Sequence, residues 1–403
     1  MSGSRHITLI NVFFAPNSFG GATVVAEEVA GALIRDHGMR VTAISAMHRT
    51  DLADYTVMRA QAGGIVSYLI NLPRGRSYVE VYDNPRVTDA ILRLTSRLEP
   101  DLVHAHCIQD LGAGLMPALK AAGLPVILST HDFWWLCERQ FMIRPDRRYC
   151  GQDPIDIEAC AGCVEDIARA RIRHAALREA AAAADVITFP SRFAMDLCQR
   201  SGLAAPRLEV WENGIRGPGP GFFEAQAARR AADPRLVFGY VGGPSQVKGW
   251  PLVKAAFEGL GRDDFKGYLV EGSLDERWWR GQVPSLMQGN WRIHPRYDQN
   301  TMDSFWARID VLLFPSQWKE TFGLTVREAV ARGIHVLQTD CGGAAEWDGA
   351  DRTAMLRIGD GPERLRAAAV RLLDTRPAPP DPVPMRSFAD QARAFAGLAG
   401  ALL

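Results

Sequence analysis

The sequence predicts an α/β protein built from two doubly wound domains, each with a parallel sheet. Short apolar, β-branched runs alternate with Ala- and Leu-rich stretches in both halves of the chain, and this alternation is typical of βα units. The Gly- and Pro-rich segment ENGIRGPGPGFFEAQ separates the two series and has the composition of a linker. We therefore expect two domains that face each other across a cleft, with functional residues in the loops after the strands.

The composition is that of a globular protein with balanced charge. Of the 403 residues, 47% are hydrophobic and 23% are charged, which excludes a disordered polyelectrolyte. Lys+Arg and Asp+Glu both total 46, which argues against nucleic acid as a partner, because binding it usually requires a strongly basic domain. No run reaches the ~18 to 20 apolar residues of a membrane-spanning helix, and the first residues show no signal-peptide pattern. We expect a cytoplasmic protein.

The elements of the first domain follow from the spacing of its apolar residues. A helix is predicted over ATVVAEEVAGALIRDHG, because Val25, Val29 and Leu33 recur every four residues and Gly38 suits a helix C-cap. An Ala-rich helix is predicted at about 165–184. The predicted strands are ITLINVFF, RVTAISA, DLVHAHC, PVILST and DVITFPS.

The second domain has its own strands, and a helical tail follows it. The predicted strands are LVFGYVG, GYLVEG, WRIHPRY, DVLLFPS and HVLQTD. After the break RPAPPDPVPM, the tail has apolar residues at Phe388, Phe395, Leu398 and Leu402. A helix with such a stripe must bury it, and we predict that it docks back on the first domain. The predicted boundaries are 1–215, with a cysteine-containing insertion at about 136–166, then 216–385 and 386–403.

The strongest motif follows the strand DVLLFPS and reads SQWKETFGLTVREAVA. Glu320 lies in the loop, Gly323 lets backbone amides approach a ligand at the helix start, and Glu328 falls in the following helix. The two carboxylates could bind a sugar hydroxyl and a ribose while the amides receive phosphate oxygens. Ordinary helix N-terminal acidity, which complements the macrodipole, would explain the spacing equally well.

The motifs, taken in order along the chain, resemble glycosyltransferase family 4, the retaining nucleotide-sugar-dependent enzymes of the GT-B fold. The Glu-x7-Glu pattern with FGL inside it, followed by EAVARGIHVLQTDCGGAAE, is similar to the family's donor-binding signature. The resemblance extends to the glycine loop after the first strand, PDLVHAH, THD, ENGI and VKGW. It implies two Rossmann-like domains and transfer of a sugar from a nucleotide-diphosphate donor.

The resemblance also implies roles for the donor-side residues. Glu320 matches the glutamate that contacts donor-sugar hydroxyls, Glu328 the one that holds the ribose, and Lys248 the lysine that neutralises the diphosphate. The stretch whose backbone amides receive sugar and diphosphate oxygens is Thr321, Phe322, Gly323 and Leu324. Gly243 is a departure, since it stands where related transferases often have an arginine. Either its backbone contacts the phosphates or another cation supplies the missing charge.

The first domain supplies the acceptor-side candidates. In the family the glycine loop faces the donor diphosphate and the acceptor, which makes Gly20 and Gly21 site candidates, although a plain βα turn would also use them. His131 in THD resembles the family's acceptor-side histidine, and we predict that it positions or polarises the reacting centre. His104 and His106 alternate in one strand and so share a face, where a structural role is as good an explanation.

The resemblance implies a front-face route, in which the acceptor attacks on the side that the nucleotide leaves. No residue stands out as the enzymic nucleophile that a double displacement needs, and the resemblance implies that no catalytic metal or cofactor is required. The partners would be a UDP, GDP or ADP sugar and a glycan, lipid-linked or small-molecule acceptor; a peripheral membrane contact is compatible with this. The alternatives are an epimerase or phosphorylase of the same fold, or a non-catalytic nucleotide-sugar or glycan-binding subunit.

Four cysteines lie in the insertion, spaced C-x12-C-x9-C-x2-C: Cys137, Cys150, Cys160 and Cys163. Four thiolates can surround a structural zinc ion in a closed tetrahedral shell. Unrelated thiols, disulfides and an iron–sulfur cluster are the alternatives, with disulfides disfavoured in a reducing compartment. Several arginines flank the cluster; these form a solvated surface or a face for an anionic acceptor.

Overall fold

The computed structural model describes residues 4–273, 275–281 and 287–403. The chain divides into two compact units. The first comprises Met1–Met142, Gly151–Gly214 and Arg386–Leu403, and the second comprises Ile143–Cys150 and Ile215–Met385. None of the helices in the described ranges combines the length and the apolar character needed to cross a membrane.

The first unit is built on an eight-stranded sheet, as far as the described residues show, in the order β3-β4-β2-β1-β5-β6-β7-β8. All neighbouring strands run parallel except β3 and β4, which pair antiparallel. The central strands are buried along their whole length, as expected where helices cover both faces of a parallel sheet. The strands are β1 (His6–Ile10), β2 (Arg40–Met47), β3 (Val57–Ala62), β4 (Ile65–Asn71), β5 (Leu102–Ala105), β6 (Val126–Ser129), β7 (Val186–Phe189) and β8 (Arg207–Val210).

The helices of the first unit include the two that the sequence predicts. The helix α1 buries Val25, Val29 and Leu33, and it ends where Gly38 adopts the left-handed conformation (φ 60°) and donates its N–H to the Leu33 carbonyl. Asp166 is the N-cap of helix α4, and its carboxylate accepts from two backbone amides of the first turn. The helices are α1 (Gly21–His37), α2 (Pro85–Leu98), α3 (Leu115–Ala121), α4 (Ile167–Ala182) and α5 (Arg192–Arg200).

The second unit has a five-stranded, fully parallel sheet in the order β11-β10-β9-β12-β13 within the described ranges. Its strands are β9 (Val237–Tyr240), β10 (Lys266–Val270), β11 (Asn290–His294), β12 (Val311–Phe314) and β13 (His335–Gln338). Its helices are α6 (Phe222–Ala232), α7 (Trp250–Glu258), α8 (Asp303–Trp306), α9 (Leu324–Val330) and α10 (Pro362–Thr375). Two apolar clusters, one on Phe238, Phe257 and Phe265 and one on Phe305 and Trp306, form its core.

The C-terminal helix α11 (Phe388–Gly400) belongs to the first unit and packs on α1. Phe388 and Phe395 are buried as predicted, whereas Leu398 and Leu402 are only half-buried, because the buried face continues through Ala392 and Ala399. The prediction of two parallel α/β sheets with a returning C-terminal helix is confirmed. A Ser387 capping box starts this helix.

Candidate functional site

The loop from β12 to α9 places Glu320 at the centre of a hydrogen-bond network in the second unit. The side chain is 6% exposed. Its Oε1 accepts from the Lys248 ammonium (2.7 Å), the Ser316 hydroxyl (2.8 Å) and the Trp318 indole N–H (3.0 Å). The sequence predicted Lys248 and Glu320 as separate donor contacts, and the structure brings them together as an ion pair. The Lys248 side chain is 35% exposed whereas that of Glu320 is buried, so it is the carboxylate that depends on these hydrogen bonds.

Glu320 is also fixed through its backbone, which joins two loops at the carboxyl edge of the sheet. Its N–H donates to the Cys341 carbonyl (2.9 Å), and its carbonyl accepts from the Gly343 N–H (2.8 Å). The loop after β13 therefore runs alongside the loop after β12. Both loops follow strand ends, where parallel α/β sheets bind ligands.

The predicted FGL stretch has a conformation that requires glycine. Gly323 has φ 80°, and a Cβ added there would lie 2.5 Å from the Ala344 Cβ. The two loops can therefore pack this closely only because residue 323 has no side chain. Thr321 and Phe322 are buried beside it, and α9 starts directly afterwards at Leu324.

A buried arginine that the sequence analysis did not single out braces this turn. Arg327 is 2% exposed, and its guanidinium lies 3.7 Å from the centre of the Phe322 ring. It donates to the carbonyls of Glu346 (2.6 Å) and Gly343 (3.0 Å), and also to that of Phe322. Three carbonyls from two loops thus share one cation. The rigidity of the FGL turn depends on this residue as much as on Gly323.

The second glutamate of the motif, Glu328, is buried within α9. Burial raises the pKa of its carboxyl to about 7, although the Arg332 guanidinium and a hydrogen bond from Gln299 act in the opposite direction. Arg332 is fully buried and donates to Asp303 (2.8 Å) and to the carbonyls of Glu328 (3.1 Å) and Gly217 (3.1 Å). A carboxyl with a pKa near neutrality can exchange a proton or a hydrogen bond with a ligand hydroxyl.

The loop after β9 explains why Gly243 cannot be an arginine here. Gly243 has φ 62°, and a Cβ at this position would come within 2.6 Å of the Trp278 ring. Its carbonyl accepts from the Tyr240 hydroxyl (3.1 Å), which also donates to the Lys248 carbonyl (3.3 Å). The loop is therefore shaped for glycine.

Lys319 is the second cation of this region. Its ammonium donates to the Asp340 carbonyl (2.8 Å). Both Lys319 and Lys248 lie close enough to Cys341 to lower the pKa of its thiol, although burial raises that pKa overall to about 12. The sequence analysis missed Lys319, despite its place directly before Glu320, because a lone loop lysine carries no distinctive pattern.

In the first unit, the glycine loop is held by one carboxylate of α1. Gly20 (φ 84°) caps α1, and Gly21 is its first residue. Glu27 accepts from the Ala15 N–H (2.7 Å) and from the Ser18 hydroxyl (2.5 Å), and burial raises the pKa of its carboxyl. The loop is thereby tied to the helix it precedes.

The predicted histidines form a stacked row in the first unit. His131 follows β6, and its Nε2 lies 2.9 Å from Nδ1 of His106. His106 lies 4.0 Å from His104, which stacks on Phe395 of α11 at 4.3 Å, both measured between ring centres. Burial lowers the pKa of His131 to about 4 and that of His104 to about 3. All three imidazoles are therefore neutral at pH 7, and across the contact between Nδ1 of His106 and Nε2 of His131 one nitrogen donates to the other.

The zinc prediction is not supported. Among the described residues, no group of three or more His, Cys, Asp or Glu side chains is arranged to hold a metal ion, and no disulfide forms between the seven cysteines, all of which are described. The insertion folds as two pieces: Cys150 ends a segment assigned to the second unit, whereas Cys137, Cys160 and Cys163 belong to the first. Cys160 itself packs on Asp156 and Gln152, with its Sγ 3.6 Å and 3.5 Å from their polar atoms.

Comparisons with known families and structures agree with this architecture. The family model described as Glycosyltransferase Family 4 matches residues 19–217, and the model described as Glycosyl transferases group 1 matches residues 235–375. No curated protein sequence matches the chain.

Solved structures resemble the chain over nearly its whole length. The sucrose-phosphate synthase of Thermosynechococcus elongatus is 17% identical, with 99% of this chain and 97% of that chain covered and a TM-score of 0.65. HepE of Anabaena, in complex with UDP and glucose, is 17% identical over 98% of this chain and 95% of that chain, with a TM-score of 0.61. The UDP-forming trehalose-phosphate synthase of Burkholderia xenovorans, in complex with glucose-6-phosphate, is 14% identical over 98% and 100%, with a TM-score of 0.62.

The two sheets and the loop site at the carboxyl edge of the second, together with these matches, define a glycosyltransferase of the GT-B fold. Residues 19–217 of this glycosyltransferase match the family 4 model, and residues 235–375 match the group 1 model.

Proposed function

We propose that this glycosyltransferase uses a nucleotide-diphosphate sugar as its donor and transfers the sugar with retention of configuration. The observation that carries the proposal is the network on Glu320, where a buried carboxylate and the Lys248 ammonium lie 2.7 Å apart at the carboxyl edge of the second sheet. A sugar with hydroxyls and a diphosphate presents the partners that these two groups need. Neighbours of the same fold that carry UDP with glucose, or glucose-6-phosphate, support this class of substrate.

On this proposal, each donor-side residue has one task. Glu320 accepts hydrogen bonds from the sugar, Glu328 binds the ribose, and the backbone N–H groups of the FGL turn (321–324) receive sugar and phosphate oxygens. Lys248 moves from Glu320 towards the diphosphate, and Lys319 supplies the charge that Gly243 cannot. Because the lysines face charge that grows on the departing nucleotide, they stabilise the transition state more than the bound donor.

The chemical step is a front-face displacement. The bond between the anomeric carbon and the phosphate oxygen breaks, the acceptor oxygen bonds to the same face, and the acceptor proton goes to the departing phosphate. His131 in the first unit positions the reacting centre as a neutral imidazole, and Gly20 and Gly21 let the chain approach the substrates closely. The acceptor is a hydroxyl compound, either a glycan, a lipid-linked sugar or a small molecule, and the enzyme acts in the cytoplasm or at the inner membrane surface.

The first test is a thermal-shift titration with UDP, GDP, ADP and their sugars. A ligand at ~100 times its dissociation constant adds about 2.7 kcal/mol to the free energy of unfolding, so one nucleotide should raise the melting temperature measurably. The shift should be lost in Glu328→Ala and kept in Glu224→Ala, a matched change of an exposed glutamate in α6. A shift that survives Glu328→Ala, or no shift with any nucleotide, would contradict the proposed donor site.

Retention is tested separately, without knowledge of the acceptor. Slow hydrolysis of the donor that binds should release a sugar whose first-formed anomer, followed by NMR, has the configuration of the donor. The opposite anomer would contradict the front-face route. Binding without any turnover would indicate the non-catalytic subunit instead.

A further inference from the structure

A cavity lined by several charged side chains lies at the opposite edge of the same sheet. It measures ≈ 240 Å³ and surrounds the points where β9, β12 and β13 begin, whereas Glu320 and Gly243 follow strand ends. The end of α6, the residue after α10 and the segment at Pro377 and Pro379 complete its walls. One water needs ~10–15 Å³ of such space, so the cavity has room for an anion the size of a phosphate or a small phosphate ester.

The walls of this cavity carry more cations than carboxylates. Four arginines and two aspartates line it, which leaves an excess of two positive charges when His335 is neutral. Its charged lining residues are Arg229, Arg230, Arg235, Arg376, Asp233 and Asp310.

Both aspartates are already paired with cationic side chains, and the excess of two positive charges is what remains after they are counted. Asp310 accepts from Arg229 (2.6 and 2.9 Å), from Arg230 (2.8 Å) and from the Val237 N–H (2.9 Å). Asp233 accepts from Nε and Nη2 of Arg235 and pairs with Lys266. Each carboxylate therefore holds two cationic side chains.

One arginine of the group keeps an unused donor. Nε of Arg229 is buried and has no hydrogen-bond partner among the described residues, and a buried unsatisfied donor is costly unless a ligand or water meets it. Arg376 reaches the cavity from the left-handed residue that caps α10 (φ 41°) and uses Nη2 on Asp264 (3.0 Å). Arginine has five N–H donors, so these residues retain capacity for a second anion.

We propose that this cavity binds a doubly charged phosphate group, carried by a soluble metabolite or by a lipid headgroup, at a site separate from the donor site. The excess of two positive charges matches a phosphate dianion or phosphate monoester, and the planar guanidinium forks suit its oxygens. A bound anion would join the end of α6 to the segment after α10. Because it sits at the amino ends of the strands, it would not compete with a nucleotide at Glu320.

The test is a calorimetric titration of the full chain with inorganic phosphate and pyrophosphate. It is done in the Lys248→Gln background, so that the lysine of the proposed donor site does not capture the probe. The diagnostic change is Arg235→Gln with Arg376→Gln, because Asp233 keeps Lys266 and Asp264 keeps Arg262, and no carboxylate is left alone. The matched control is Arg371→Gln, an exposed arginine of α10 that does not line the cavity.

We expect phosphate to bind, the double variant to weaken binding at least tenfold, and the control to bind as the parent does. No detectable binding at millimolar phosphate, unchanged affinity in the double variant, or an equal loss in the control would each overturn the proposal. Co-sedimentation with phosphatidic acid vesicles, compared with phosphatidylcholine vesicles, separates the two sources. Co-sedimentation of the protein with phosphatidic acid vesicles that depends on Arg235 and Arg376 indicates a lipid headgroup. Binding of phosphate without such co-sedimentation indicates a soluble ligand.

Discussion

At the scale of the residue, the role proposed for His131 makes a prediction that separates catalysis from donor binding. Its Nε2 is paired with His106 in the first unit, and burial keeps its pKa at about 4, so it acts as a neutral hydrogen-bonding group at pH 7. We expect His131→Ala to lower kcat on the order of 100-fold while the nucleotide dissociation constant changes less than about threefold, because a group that touches only the reacting centre affects the transition state alone. Turnover and equilibrium nucleotide titration measure the two effects.

His106→Ala provides the companion measurement. Losing the partner of His131 should lower kcat through a misplaced imidazole, and His106→Asn, which keeps a donor near the Nδ1 position, should restore part of it. Nucleotide affinity falling more than kcat in His131→Ala would contradict the assignment.

The sequence nominates the charged residues of the proposed donor site, but it does not predict that two of them pair. Lys248 and Glu320 are 72 positions apart in the chain, and spacing gives no means of predicting that they meet. Arg327 and Arg332 were missed for a different reason. Arginines usually face solvent, and these two, one in α9 and one just after it, are buried where loop carbonyls and Asp303 accept their hydrogen bonds.

At the scale of the element, strand and helix periodicity predicted most of both sheets. The antiparallel pair β3 and β4 and the strand β8 were missed. β3 alternates exposed and half-buried residues along VMRAQA, and β8 has no buried residue in RLEV, so neither has the apolar pattern that marks a central strand. The zinc prediction finds no support among the described residues, because the spacing of cysteines in a sequence does not show how close their side chains come in the fold.

The helix α11 is the element whose packing is most open to test. Phe395 is fully buried against His104 and Trp211, and Gln391 holds the Gly214 N–H (2.7 Å) and the Asn213 side chain (3.1 Å). We expect Phe395→Ala to lower the free energy of unfolding by about 3–5 kcal/mol, measured by urea denaturation.

The matched control is Phe223→Ala, a 43% exposed phenylalanine of α6, which should cost less than about 1 kcal/mol. Because His104 stacks on Phe395, the Phe395→Ala variant should also lose turnover at urea concentrations too low to unfold it. Equal destabilisation by the two variants would show that α11 does not anchor the first unit.

At the scale of the whole molecule, the dependence of stability on pH has two opposing contributions. Burial lowers the pKa of His104 to about 3 from 6.5, so this residue's contribution is present above pH 6.5 and is lost as the pH falls towards 3. Burial raises the pKa of Glu328 to about 7 from 4.5, so its contribution is present below pH 4.5 and is lost as the pH rises through 7. In the first unit, folding opposes protonation of His104 in acid. In the second unit, folding opposes ionisation of Glu328 in base.

Two substitutions should therefore change the pH profile in opposite ways. Glu328→Gln, which removes the buried charge, should raise the free energy of unfolding at pH 8 by roughly 3 kcal/mol and leave it nearly unchanged at pH 4.5, while weakening nucleotide binding. His104→Gln, whose amide can still meet the Ser129 hydroxyl that lies 2.8 Å from Nε2, should reduce the acid-side slope by up to about 1.4 kcal/mol per pH unit. Urea denaturation from pH 4.5 to 8 measures both. Profiles that run parallel to that of the parent would mean that neither group titrates with the shifted pKa, and the low-pH loss would then belong to other residues.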